Sequence, residues 1–246
     1  MNVRFLPLLL LGCAVALTAT GCNDAPGKPK LASEYERPDR VFDFATLYKQ
    51  NCAACHGESG RNGAAISLAN PVYIATAGVA NISRVTSAGV AGTMMPAFGI
   101  KAGGTLTDRQ VQVIAQGIAD TWGQASALGG QAAVAYASSA QADPANGQKA
   151  FSASCARCHG ADGTGLTTDK GRVGSLVDPA YLALISDQGL RSIIIAGQPE
   201  QGMPDWRSDL TGANARPLTE QEITDIVAWL ASHRTSTPGQ PYQQHP

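Results

Sequence analysis

Charge is scarce in this chain. Only 15% of its 246 residues are Asp, Glu, Lys or Arg, well under the roughly 25% usual for soluble globular proteins, so long disordered acidic or basic stretches are excluded. Lys and Arg number 18 against 19 Asp and Glu. A net charge of −1 gives no basic footprint for nucleic acid. Past residue 21 no apolar run approaches the roughly 18 to 20 residues that a membrane span needs. Histidine and methionine occur four times each, few enough for every one to be weighed as a ligand.

What is present begins with an export pattern. Met1 to Arg4 give a short positive start, and Phe5 to Ala19 form an apolar run broken by Pro7 and Gly12. That pattern marks residues 1–21 as a cleaved secretory signal. The ending Ala19-Thr20-Gly21-Cys22 resembles the bacterial lipoprotein signal, whose cysteine becomes the lipid-bearing first residue, although that family prefers Leu where Ala19 stands. The resemblance implies an acyl anchor on Cys22 and a place at the periplasmic face of a bacterial membrane. Ordinary cleavage near Ala19, with no lipid, is the alternative. Residues 22–40 carry three prolines and balanced charge without apolar periodicity. They read as a flexible tether with an average reach of roughly 20–25 Å.

Cys13 leaves with the signal and Cys22 takes the lipid. The other four cysteines stand as Cys52-Ala53-Ala54-Cys55-His56 and Cys155-Ala156-Arg157-Cys158-His159. C-x-x-C-H is the attachment motif of c-type haem. Cysteines three apart on one helical turn face the same way, so both can form thioether bonds, and the adjacent histidine is held under the iron. A structural zinc site would pair its cysteine dyads across a short loop, whereas these dyads start 103 residues apart. Disulfides within each motif would suit an exported protein but leave both histidines unexplained.

Setting the motifs in register exposes a repeat. Tyr48 and Phe151 each precede the first cysteine by four residues. Leu68-Ala69-Asn70-Pro71-Val72-Tyr73 answers Leu176-Val177-Asp178-Pro179-Ala180-Tyr181, Met95-Pro96-Ala97-Phe98 answers Met203-Pro204-Asp205-Trp206, and Leu106-Thr107-Asp108 answers Leu218-Thr219-Glu220. One structural unit is used twice: residues 41–123 and 144–234, joined by an Ala-, Ser- and Gly-rich linker at 124–143 and followed by a tail at 235–246. Val134-Ala135-Tyr136 could give the linker one packed contact. Thr107 with Gln110, and Thr219 with Glu222, are capping boxes that start the last helix of each module. Val111, Ile114 and Ile118, and Ile223, Ile226 and Leu230, follow at helical spacing. Phe42 to Lys49 and Gly147 to Ser154 read as helices leading into the haem motifs. Ile193-Ile194-Ile195 is the only β-branched run, so the modules are expected to be all-α.

After the signal only three methionines remain, all in the two Met-Pro regions. A soft thioether opposite histidine suits haem iron, which makes Met95 and Met203 the candidate sixth ligands. Met94 is the rival to Met95, and simple core filling the competing reading. Between residues 22 and 143 the only histidine is His56, so the first module cannot supply two histidines to one iron. His233, at the end of a helix, suits a dipole role, and His245 lies in the tail. Phe98 and Trp206 are expected to wall the crevice beside the methionines, with Trp122 and Trp229 packing. Arg61, Arg84, Arg172 and Arg191 could pair with haem propionates, or simply be solvated.

On these residues each module resembles a class I cytochrome c, and the pair resembles the two-haem periplasmic cytochromes c. The family pattern is an aromatic before C-x-x-C-H, a downstream Met-Pro, and a final helix opened by Thr-Asp or Thr-Glu. The resemblance implies an all-α fold of two small helical bundles, each around one covalently attached haem c. Cys52, Cys55, His56 and Met95 would hold one, and Cys155, Cys158, His159 and Met203 the other. One departure stands out: the family often has glycine eight residues before the first haem cysteine, as Gly147 does, but the first module has Phe44. Irons with every position filled imply electron transfer rather than catalysis. The expected role is a membrane-anchored carrier or cytochrome subunit of a respiratory or photosynthetic complex, with redox proteins as partners. A two-haem peroxidase with one open iron is the alternative. Segment charges of +1 and −2, from five bases and four acids and from eight bases and ten acids, are too weak to steer a partner strongly.

Overall fold

The structure, a computed structural model, describes residues 36–168, 171–207 and 216–235. The export signal, Cys22, most of the tether, His245 and nearly all of the tail lie outside these residues. The chain divides after Arg40. Before that point the described residues hold a single 3-10 turn, Pro38–Arg40. From Val41 onward it forms a second compact unit, which contains both repeats.

The first repeat has four helices: α1 (Phe44–Asn51), the single turn α2 (Ala53–His56), α3 (Pro71–Ala88) and α4 (Asp108–Trp122). Among its described residues the second has five: α5 (Pro144–Ser154), the single turn α6 (Ala156–His159), α7 (Pro179–Leu184), α8 (Asp187–Ala196) and α9 (Glu220–Ala231). The extra helix comes from one shared break. The backbone of α3 leaves helical geometry at Gly78, with φ 66° and ψ 161°. At the matching position Ser186 ends the first segment and caps the next by accepting a hydrogen bond from the Gly189 amide at 3.1 Å. Both expected capping boxes are present at Thr107/Gln110 and Thr219/Glu222. Among the described residues no helix is long and apolar enough to cross a membrane.

Among the described residues the fold is all-α but for one hairpin. Strands β1 (Leu166–Thr168) and β2 (Gly171–Val173) pair antiparallel, Leu166 opposite Val173. They occupy a stretch where the first repeat has only a short return. The β-branched run Ile193-Ile194-Ile195 lies in α8 instead, where Ile195 is buried. Alternation does not define that run, and α8 places Leu190, Ile194 and Ile195 on one apolar face.

The first and last helices of each repeat cross closely, by opposite means. In the second, Gly147 of α5 lies against α9, where a Cβ would fall 2.0 Å from the Asp225 carbonyl oxygen. In the first, the glycine is on the other helix: Gly117 of α4 receives the ring of Phe44, and a Cβ there would lie 2.2 Å from it. Phe44 therefore does not prevent the crossing; it relocates the small residue. Around it Phe44, Tyr48 and Trp122 form an aromatic cluster, with ring centroids 5.1 to 5.8 Å apart. Phe151 and Trp229, 4.5 Å apart, do the same work in the second repeat.

The linker is fastened rather than loose. Arg191 of α8 is buried and donates to the carbonyls of Ala135 and Tyr136 at 2.7 and 3.1 Å, while pairing with Glu220. Of the four arginines weighed for haem carboxylates, this one is neither solvated nor free. Gln188 donates to the Tyr136 carbonyl at 2.7 Å, Glu220 accepts from the Ala135 amide, and the Asp225 carboxylate accepts from the Asp143 amide at 2.8 Å. Leu128 and Val134 pack on Ile195, Trp206 and Ile223, whereas Tyr136 packs on the core of the first repeat. A direct bond joins the repeats as well: Asn70 caps α3 with its side-chain oxygen and donates to the Ala196 carbonyl at 2.9 Å.

Adding a methyl group at Gly147 forces backbone apart, whereas at Gly117 a phenyl ring can turn aside. Gly147→Ala is therefore expected to cost about 1–3 kcal/mol, and Gly117→Ala less. Urea unfolding of both variants checks the order, and equal losses would contradict the close α5–α9 crossing.

Candidate functional site

Each haem motif is a continuation of the helix before it. The Cys52 amide donates to the Tyr48 carbonyl at 2.8 Å and the Cys155 amide to the Phe151 carbonyl at 2.7 Å. The single turns α2 and α6 then close with the His56 and His159 amides on the Cys52 and Cys155 carbonyls, both at 3.0 Å. Helical geometry places residues three and four apart on one face, so in each motif two thiols and an imidazole project from a single turn. The backbone of each motif places its three residues within one turn.

All four cysteines are free, which removes the disulfide reading of the motifs. Burial pushes the Cys52 and Cys155 thiols up to about 11, with the neighbouring Cys55 and Cys158 adding to it. A site that disfavours thiolate fits sulfur bound as an uncharged thioether. Among the described residues no three of His, Cys, Asp and Glu converge to hold a bare metal ion. Burial also lowers the pKa of both histidines and favours the neutral imidazole that binds iron. Among the described residues Trp206 is buried with its indole N–H unpartnered. That N–H is a donor only, so it suits an acceptor such as a haem carboxylate. The residues present fit a covalently held haem at each motif.

The methionine loops are tied down in parallel fashion. In the first repeat the Val90 amide donates to the Met95 carbonyl at 3.0 Å, the Phe98 amide to Thr86 at 3.1 Å, and the Leu106 amide to Phe98 at 2.8 Å. In the second Gln198 and Met203 exchange backbone bonds at 2.9 and 3.1 Å, the Trp206 amide reaches Ile195 at 3.2 Å, and Leu218 reaches Trp206 at 2.9 Å. Each loop thus hangs between the end of α3 or α8 and the entry to the last helix. Met95 and Met203 are half-buried, whereas Met94 is 79% exposed. His233 turns Nδ1 to the Trp229 carbonyl at 2.9 Å and sets its ring edge-on to Trp229, a local role at the end of α9.

Residues 144–234 match the family described as cytochrome c, and residues 39–116 match the family of cbb3-type cytochrome c oxidase subunit III. The chain is a two-haem class I cytochrome c. The cysteine pairs Cys52/Cys55 and Cys155/Cys158 are those of its two covalently bound haems c, and its chemistry is haem-based electron transfer. No curated protein matches the chain. Among solved structures, a chain of the reducing HAO-like protein complex of Kuenenia stuttgartiensis is 18% identical, covering 82% of this cytochrome and 100% of its own length at a TM-score of 0.45.

Several contacts around the sites had no sequence signal. Tyr48 donates its hydroxyl to the Gly57 carbonyl at 2.8 Å, and His56 Nδ1 lies 2.7 Å from the Ile66 carbonyl. Backbone acceptors carry no residue identity, so only the spacing from the haem motif to Ile66 could have pointed to the second. Replacing Cys155 and Cys158 with alanine is expected to leave one covalently bound haem of two. Haem-stained denaturing gels with intact-mass measurement count them, and two retained haems would contradict attachment at α6.

Proposed function

We propose that this cytochrome is a lipid-anchored electron carrier or cytochrome subunit, with His56 and Met95 ligating one iron and His159 and Met203 the other. Such a haem supplies an iron that takes up and returns one electron. The protein's part would be to hold His56 with Met95 and His159 with Met203 as iron ligands and to keep water and other ligands away. α2 and α6 would hold the haem through their two cysteines and one histidine, and the tied Met-Pro loops would supply Met95 and Met203 as the second iron ligands. The observation that carries this reading is the paired state of the methionines: Met95 and Met203 are half-buried in equally fastened loops, while Met94 stands out in solvent.

Filled iron positions leave no place for peroxide, so the reading is a carrier and not a peroxidase. The modules span residues 41–123 and 144–234. Export follows from residues 1–21, and an acyl chain on Cys22 would hold the protein at the periplasmic face of a bacterial membrane through the tether at 22–40. Its partners are redox proteins or a membrane electron-transport complex. The match to an oxidase subunit family supports the second of these.

The visible spectrum of the reduced protein is expected to ignore carbon monoxide. Met95→Ala and Met203→Ala should each open one haem to the gas, and Met94→Ala neither. A reduced wild-type protein that binds carbon monoxide would refute the ligand pair at one site. Cys22→Ser should move the protein from the membrane fraction to the soluble one on cell fractionation; unchanged partition would exclude the lipid anchor.

A further inference from the structure

The two ligating histidines are not held alike. His56 is buried, and its Nδ1 lies 2.7 Å from the Ile66 carbonyl. With Nε2 kept for iron, Nδ1 bears the hydrogen and donates it. His159 Nδ1 is equally shut off from water but meets no acceptor among the described residues.

The cause is a length difference in the chain. Eight positions separate Gly60 from Leu68 in the first module, and thirteen separate Gly163 from Leu176 in the second. The closing contacts of the loop are kept in both. Ser67 donates to the Gly60 carbonyl at 3.1 Å and Ser175 to the Gly163 carbonyl at 3.5 Å. The Ala69 amide reaches Gly60 at 2.9 Å, and the Leu176 amide reaches Gly163 at 2.8 Å. Between these fixed ends the second segment, longer by five residues, carries the β1–β2 hairpin. Gly174, which takes the register position of Ile66, follows β2 directly, and among the described residues no carbonyl reaches His159 Nδ1.

We propose that this asymmetry orders the two potentials, the first module lower and the second higher, so that electrons run from module one to module two. This rests on the two-haem ligation proposed above. A histidine that donates Nδ1–H to a carbonyl becomes a more basic ligand, which stabilises the ferric state and lowers the potential. An imidazole without that acceptor is the poorer electron donor to its iron. His159 is more exposed than His56, an effect of opposite sign; the hydrogen bond prevails because it acts on the ligand itself. In the transfer one electron leaves the first module and enters the second. No covalent bond forms or breaks and no proton moves, since His56 keeps its Nδ1 hydrogen.

Potentiometric titration of the intact two-haem protein, followed in the visible, is the test. Two one-electron waves are expected, separated by at least a tenfold equilibrium factor, or 59 mV. Met95→His shifts the wave of the first module alone and so assigns it, and that wave should be the lower. In the ferrous protein moved to D2O, the Nδ1–H proton resonance of His56 should outlast that of His159 at least tenfold. Deleting Thr167 to Gly171 restores the loop length of the first module and should lower the second wave. A first-module wave at or above the second, or equal exchange of the two protons, overturns the proposal. Either result with a spectrum indifferent to carbon monoxide leaves the Met ligation standing, whereas gas binding by the wild type strikes at the ligation instead.

Discussion

Two sulfurs and an imidazole have to leave the backbone in one direction, and a single helical turn is the shortest structure that makes them do so. Everything else around α2 and α6 serves that turn. Helices α1 and α5 lead into it through Cys52 and Cys155, whose amides still bond back to Tyr48 and Phe151, so its orientation is tied to a longer element. The last helix of each module crosses that element at a distance only glycine permits. The aromatic pairs Tyr48–Trp122 and Phe151–Trp229 pack the space beside the crossing. A shift in either helix would therefore move the attachment residues directly.

Much of this was legible in the chain because it is local. The haem motifs, the Thr-x-x-Gln and Thr-x-x-Glu caps and the 3.6-residue periodicity all lie within a few residues of the structure they specify. The repeat added long-range information by letting one module predict the other. Where the modules differ, that help failed. The hairpin at Leu166–Val173 has no counterpart to be aligned with, whereas the β-branched run Ile193-Ile194-Ile195 is helical, in line with the all-α expectation. The role of Gly117 is not legible from the family pattern, which has glycine at the position of Phe44, because the crossing needs a small residue on either helix and not on a given one.

What fastens the linker is hard to read from sequence for a related reason. Its Ala-, Ser- and Gly-rich composition describes side chains with little to offer beyond the packed contact expected at Val134-Ala135-Tyr136. Its order comes from backbone carbonyls and amides, which every residue possesses, engaged by Arg191, Gln188, Glu220 and Asp225 from α8 and α9. A buried guanidinium needs several acceptors, and a stretch of plain backbone supplies them. Composition could report what the linker lacks, but not what grips it.

The opposite placement of the two glycines has a consequence for ancestry. A repeat whose copies stay alike can exchange parts by recombination. Here a first helix carrying Phe44 set against α9 would drive a phenyl ring into the backbone at Asp225, and one carrying Gly147 set against Gly117 would leave two glycines facing across a hole. Each helix now fits only its own partner. Whatever single unit was once doubled, its halves have become a matched pair that can no longer be shuffled.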